Sequence, residues 1–399
     1  MKDDMLHVAL TLDHNYVLPV SVLITSILKN LNSSCNITFH LIVSKFSNTD
    51  KEIICKLKSI KDFEVVYYEA EKYADLFSRV DVCKFRNQYI NIVCYYRLLL
   101  FKIIPLEVKK IFYIDGDMIV NTDLSRIYEV VDNNLAALVV ETVAMTYRDT
   151  GLKHLHEYPE FSNFSKSPMD YPYYNAGFEL LNLEKIREYN LWDEAWKFFD
   201  AHPNPPYADQ DIINAIIGQA HRSEVYILGP EYNVFCTNNI NHEYGHDDAF
   251  YPRISTVNAY QNPKILHYAG PDKPWINGNS CYYDVWWNYA RMTPLLIELL
   301  KLSENALLQL TNNMNLAIKT NQTPNVIETM SYGQAEWTRK SCILKFLNLT
   351  FTRSEKVRVE YEKYLAMQPP RKPGNLHALL SYVDKLKTLV LLNLRKEEL

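Results

Sequence analysis

The sequence predicts an α/β protein with a mainly parallel central sheet and a helical C-terminal extension, on three observations. Short apolar runs of strand length alternate with helical patterns through the first 115 residues. One of those runs, Lys110 to Ile114, empties directly into the acidic turn Asp115-Gly116-Asp117. From Asp284 onward the pattern is predominantly helical.

In chain order, Leu6 to Leu12 is a strand ending in the polar loop Asp13-His14-Asn15-Tyr16, followed by a helix over Val20 to Leu31. Thr38 to Val43 is the second strand, and Thr49 to Ile60 a helix with Thr49 or Asn48 at its N-cap. Glu64 to Tyr68 is the third strand, and Tyr95 to Lys102 is helical. The segment Thr146 to Pro172 lacks periodicity, and a loop of that length inside a compact domain is usually functional. Regular structure resumes with a strand over Phe178 to Leu183, helices over Trp192 to Ala201 and Asp211 to Ile217, and a last strand, Lys264 to His267. Thr293-Pro294 is a good N-cap and N1 pair. A final amphipathic helix follows Pro373, with Leu376, Leu379, Leu380, Val383, Leu386 and Val390 on one face.

At 399 residues the chain is long for one domain. The net charge of -5 excludes a nucleic-acid protein, which needs basic excess over a face. That average hides an asymmetry: Met330 to Leu399 carries 13 Lys or Arg against 7 Asp or Glu, a net of +6, which leaves -11 on the preceding residues. A basic amphipathic tail on an acidic body suits an anionic membrane surface, and a helical cap on the body is the alternative. The 29 tyrosines suit sugar-facing surfaces or an ordinary core. Seven widely spaced cysteines without a C-x-x-C pair favour reduced thiols, and the N-terminus shows neither export signal nor spanning segment, so the expected location is cytoplasmic, peripheral on the inner face of the plasma membrane.

Two carboxylates one residue apart after an apolar strand can both face one hard cation, with Gly116 allowing a tight turn between them. At this point the sequence resembles glycosyltransferase family 8, the retaining group that includes bacterial lipopolysaccharide galactosyl- and glucosyltransferases and, more distantly, glycogenin. The resemblance covers Val8 to Trp275 and rests on six ordered motifs: Ala9-Leu10-Thr11-Leu12-Asp13-His14-Asn15-Tyr16, Tyr96-Arg97-Leu98, Tyr113-Ile114-Asp115-Gly116-Asp117, Tyr174-Asn175-Ala176-Gly177-Phe178, Asp209-Gln210-Asp211-Ile212-Ile213-Asn214, and the run from His267 to Trp275.

The resemblance implies a GT-A type nucleotide-sugar-binding fold over residues 1–283, with 284–399 as the helical extension and its basic tail. It implies transfer of a hexose, glucose or galactose, from a UDP-sugar to a glycan or glycolipid acceptor. The cofactor is manganese, or magnesium, held by Asp115, Asp117 and His267; imidazole beside two carboxylates suits manganese better than an all-oxygen site suits magnesium. Ala9, Thr11, Asp13, Asn15 and Tyr16 are the implied nucleoside residues, with Asp13 as a local cap the alternative. Arg97 lies near the sugar and phosphates or pairs with an internal carboxylate. Gly116, Ala176, Gly270 and Lys273 belong to the donor site, Gly270 by close backbone approach and Lys273 by its charge. Asn175, Asp209 and Gln210 face the transferred sugar, and Asp209 would equally serve as a helix N-cap. Where many relatives have Asp after Leu138-Val139-Val140, this chain has Glu141. The rival readings are a sugar nucleotidyltransferase, disfavoured because residues 7–20 contain no Gly, Lys or Arg, a glycogenin-like self-glucosylating protein, and a non-catalytic carbohydrate-binding relative.

Overall fold

The computed structural model describes residues 5–81, 92–146, 151–236, 258–270, 273–276 and 280–306. The chain divides into two compact units, Met1–Ala335 and Glu336–Leu399, of which the second, with the expected tail helix, lies outside the described residues.

Seven strands form the main sheet: β1 (Met5–Asp13), β2 (Asn36–Ser44), β3 (Glu64–Glu69), β4 (Lys110–Ile114), β6 (Ala136–Val140), β7 (Tyr174–Asn182) and β8 (Val225–Ile227). Their order is β3-β2-β1-β4-β7-β6-β8. The β1–β2, β2–β3, β1–β4 and β6–β8 pairs are parallel, and β7 alone runs against its neighbours. A second sheet joins β5 (Met118–Val120), β10 (Ile265–His267) and β9 (Val234–Phe235), with β5 antiparallel to β10. This second sheet links the acidic turn after β4 to His267 at the end of β10, because Met118 pairs with His267.

Strands β1, β2 and β4 form where the sequence predicts because their apolar runs are buried on both faces; β4 and β7 contain no exposed residue. Helix α1 (Val17–Asn30) follows the loop after β1 and tolerates Pro19 because the first helical turn lacks internal N–H partners. Helix α2 (Asn48–Lys56) starts one residue earlier than expected. Ser47 caps it instead of Asn48 or Thr49, and the Asp50 carboxylate returns to Ser47 N at 2.8 Å in a capping box. Helix α3 (Leu191–Ala201) packs on α4 (Asp209–Ile213) and on the π-helical turn Asn214–Gln219 into which α4 gives way. Residues 153–166 of the long irregular segment contain short 3-10 turns and one helical turn. Helix α5 (Tyr283–Ala290) packs on α1, where Asn30 donates to the Tyr289 hydroxyl at 2.7 Å. Thr293 Oγ1 accepts Leu295 N at 3.1 Å just before the helical residues 296–306. Among the described residues no helix is long and apolar enough to cross a membrane.

Away from the acidic turn, buried His40 on β2 stands between His7, at 3.0 Å, and the Tyr68 hydroxyl, also at 3.0 Å. Burial, then the charge of His7, pushes its pKa down to about 4. The unfolded chain therefore binds this proton more tightly than the folded one, so the group's full stabilisation is present above pH 6.5 and is lost as pH falls toward 4. We expect the wild type to lose about 2 kcal/mol relative to His40→Leu between pH 7.5 and pH 5. Urea unfolding of both proteins at the two pH values checks it; parallel curves would contradict it.

Candidate active site

The carboxyl ends of β1 and β4 lie side by side, and both feed loops rich in functional groups, the position where open α/β sheets bind ligands. The turn after β4 is fixed at three points: Asp115 N donates to Gly177 O at 2.8 Å, Met118 N to Asp115 O at 3.2 Å, and Tyr268 N to Asp117 O at 2.9 Å. Gly116 is required for a different reason than a tight turn. Its φ is not positive; instead a Cβ would meet Val20 Cγ2 at 2.9 Å and the Tyr16 ring at 3.2 Å. The turn can approach α1 only without a side chain there.

Asp115, Asp117 and His267 each offer a ligand atom, all within 4.8 Å of one another. His267 Nε2 is 3.5 Å from Asp117 Oδ1 and 4.0 Å from Asp115 Oδ2. The imidazole is buried, stacked on Phe235, and its Nδ1 meets Asn233 Oδ1 at 3.0 Å. With Asn233 as acceptor, Nδ1 donates to it and Nε2 is left facing the two carboxylates, the arrangement that orients metal-binding histidines. The donor set therefore fits a divalent cation. Gly177 completes the seat, since a Cβ there would lie 2.6 Å from His267 Cε1. Lys273, buried, donates to Asp117 Oδ2 and to Tyr268 O at 2.6 Å. Burial opposes ionisation of Asp117, but Lys273 and then His267 outweigh it and hold the carboxyl well below the usual range.

A second cluster centres on Arg97, which is buried and pairs with internal carboxylates. Its Nε is 2.6 Å from Asp209 Oδ2, Nη2 is 2.9 Å from Asp115 Oδ1, and Nη1 is 3.8 Å from Glu179 Oε1. Nη1 also donates to Ala176 O, and the guanidinium lies 4.2 Å from the centre of the Tyr113 ring. Two of these carboxyls, Asp209 and Glu179, are buried, and one guanidinium does not keep both fully ionised. Burial, resisted by Arg97 and reinforced by Asp115, pushes Asp209 up to about 7. Burial likewise pushes Glu179 up to about 8 against the pull of Arg97. Arg97 thus ties the acidic turn to Asp209.

Asp209 is the first residue of α4 and not its cap. The next residue, Gln210, is fixed through its carbonyl: Oε1 accepts Asn175 Nδ2 at 3.2 Å and Ala176 N at 3.1 Å. A backbone N–H can only donate, so the atom beside Ala176 N is the oxygen. Asn175 Nδ2 also donates to buried Glu141 Oε2 at 2.6 Å, so the longer Glu141 carboxylate is spent on Asn175.

The residues expected at the nucleoside divide. The Tyr16 ring stands edge-on to Trp275 at 6.0 Å and against Gly116, beside the acidic turn. Asp13 accepts Asn15 N at 2.9 Å and Asn15 Nδ2 at 3.2 Å, a local cap of the loop. Thr11 bonds the Tyr113 hydroxyl at 2.7 Å, which in turn donates to Asp115 Oδ1 at 3.0 Å, and Ala9 is buried inside β1. Gly270 has φ +78°, so its backbone needs glycine, and among the described residues nothing lies within 4 Å of the place of a Cβ. Pro271 and Asp272 lie outside the described residues. Sequence reasoning missed Glu179, Gly177 as the seat of His267, and Asn233. Glu179 left a signal, a lone acid in a nine-residue apolar strand; Asn233 left none.

Glycosyl transferase family 8 matches residues 7–278. General stress protein A of Bacillus subtilis (strain 168) is 23% identical over 297 residues, 73% of this chain and 95% of that protein. Lipopolysaccharide 1,2-glucosyltransferase of Escherichia coli (strain K12) is 25% identical over 278 residues, 68% of this chain and 73% of that protein. Among solved structures, the galactosyltransferase LgtC in complex with donor and acceptor sugar analogs superposes with a TM-score of 0.57 at 20% identity, over 72% of this chain and 96% of that one. The WbbM bifunctional glycosyltransferase superposes with a TM-score of 0.58 at 21% identity, over 75% of this chain and about half (52%) of that one. These superpositions show a GT-A type fold. With two thirds of its length matched and Asp115, Asp117 and His267 brought within 4.8 Å of one another, the chain belongs to glycosyl transferase family 8.

Proposed function

We propose that this protein is a retaining, manganese-dependent transferase that moves glucose or galactose from a UDP-sugar to a glycan or glycolipid acceptor. The observation that carries it is the convergence of Asp115, Asp117 and His267, joined through Arg97 to Asp209 on α4. A divalent ion bound by those three residues supplies positive charge to the departing diphosphate. Lys273 adds a second cation beside Asp117. Tyr16, next to Gly116, offers its ring to the base, and the bare face of Gly270 lets the diphosphate approach the backbone. Asp209 accepts sugar hydroxyls while Arg97 fixes its direction.

Retention without a covalent intermediate follows from the groups that stand near the sugar. A double displacement needs a free carboxylate nucleophile. Gln210 is an amide, Asp209 is held by Arg97, and Glu141 is bound to Asn175. The front-face route remains, in which the leaving phosphate takes the acceptor proton and the fixed dipole of Gln210 supports the charge developing on the sugar. Gln210→Ala is expected to slow transfer about 10- to 100-fold without abolishing it, since electrostatic support and not a bond is lost. Asp209→Asn is expected to act mainly on donor KM. Steady-state kinetics with varied donor separates the two, and complete loss of turnover in Gln210→Ala would contradict the reading.

The donor assignment is tested by thermal shift and donor hydrolysis with UDP-glucose, UDP-galactose, UDP-N-acetylglucosamine and GDP-mannose in the presence of manganese. Stabilisation and hydrolysis confined to UDP-hexoses is the expected result; a preference for GDP-mannose would overturn it. The basic residues beyond Met330 favour a lipid-linked acceptor.

A further inference from the structure

The helix that carries Asp209 and Gln210 does not continue as an α-helix. After Ile213 it widens into the π-helical turn Asn214–Gln219, with Ala220 N bonded to Ala215 O at 3.2 Å. The wider turn leaves Asn214 facing β7, where its fully buried carboxamide is used at both ends. Oδ1 accepts Tyr174 N at 2.6 Å, and Nδ2 donates to Tyr174 O at 2.8 Å and to Gln210 O at 2.9 Å. Tyr174 lies beyond Phe178, the last residue of β7 that β4 pairs, so the Asn214 side chain takes the place of a strand partner there.

These bonds close a ring. Gln210 reaches β7 through its side chain, on Asn175 and Ala176, and Asn214 reaches both the β7 backbone and the Gln210 carbonyl. Two further features belong to the same construction. Gly218 is obligatory, since a Cβ would lie 2.9 Å from the Tyr174 ring and 3.2 Å from Asn214 Oδ1. Ala208, immediately before Asp209, is held at φ +53°, a conformation costly for a residue with a Cβ and maintained only by surrounding bonds.

We propose that Asn214 is a positioning residue, which holds the Gln210 side chain in register with Asn175 through the π-helical turn, so that turnover depends on a carboxamide that touches neither donor nor acceptor. The proposal rests on the role of Gln210 given above. A misplacement of about 1 Å at a reacting group costs about 100-fold in rate, whereas the nucleotide-side residues lie on other elements.

The test uses the full chain with Asn214→Ala and, as an independent disturbance of the same contact, Gly218→Ala. For both we expect kcat to fall about 30- to 100-fold while the Kd for UDP with manganese, measured by calorimetry, stays within about twofold. A second reading is independent of turnover. With nitrogen-15 glutamine, the Gln210 side-chain amide is assigned by its absence from Gln210→Asn, and its hydrogen exchange should quicken about tenfold or more in both variants. Unchanged kcat with unchanged exchange in the variants would overturn the proposal, as would UDP affinity falling in step with kcat, the mark of general structural damage. Where Asn214→Ala fails to fold, Gly218→Ala alone decides on the same criteria. A wild type that turns over no UDP-hexose sinks the proposed function, while the exchange data still decide whether Asn214 positions Gln210.

Discussion

Alanine at Asp115, Asp117 or His267 is expected to lower turnover about 1000-fold or more, since in the proposed function several kcal/mol of charge stabilisation at the leaving diphosphate depends on each of them as a ligand. The structure adds a difference among the three. His267→Ala removes an imidazole whose outer nitrogen is already satisfied by Asn233, and leaves both carboxylates with their other partners, Arg97 and Lys273. Asp117→Ala strips buried Lys273 of its counter-ion and is expected to cost stability as well, so Asp117→Asn is the cleaner variant. Manganese titration by calorimetry, beside melting curves and kcat, distinguishes ligand loss from unfolding. Undiminished manganese affinity in folded His267→Ala would contradict the assignment.

Arg97→Met is expected to produce the largest loss of stability of any single substitution in this site, about 3 to 5 kcal/mol, because removing one partner of a buried ion pair strands the others. Here it strands Asp115, Asp209 and Glu179 together. The sign of the pH dependence is then determined. Without Arg97 the buried carboxyls of Asp209 and Glu179 bind protons still more tightly folded than unfolded, so the variant keeps its stability at low pH and loses it as pH rises above the ordinary carboxylate range. Glu179→Gln in the Arg97→Met background should recover part of the loss at pH 8 and little at pH 5.5. Denaturant midpoints for the wild type and the single and double variants at both pH values test this, and a loss relative to wild type that is larger at pH 5.5 than at pH 8 would refute it.

The parts legible in sequence were those whose signal is local. The run Lys110 to Ile114 is a strand because it is apolar and short, and the chain turns at its end because of Asp115, Gly116 and Asp117. The start of β7 at Tyr174, four residues before the expected strand, was not legible, since Asn175 and Gly177 read as loop residues until their partners across the fold are known. The N-cap of α2 was displaced for a similar reason: Ser47, Asn48 and Thr49 are all competent caps, and only the return bond from Asp50 selects Ser47. The π-helical turn after Ile213 has no sequence period of its own and depends on Asn214 and Gly218 meeting Tyr174. Arg97 carried a motif but not its partners. Its three carboxylates are 18, 82 and 112 residues away along the chain, so the hub exists only once β4, β7 and α4 are assembled.

Transfer of a hexose from a UDP-sugar with retention, as proposed for these residues, is read from the anomer formed. Proton NMR of the hexose released from UDP-glucose or UDP-galactose with water as acceptor, read in the first minutes before mutarotation and with manganese present, should show the α-anomer, and EDTA should abolish its appearance. A β-anomer as the first product, or release undiminished by EDTA, would contradict the account.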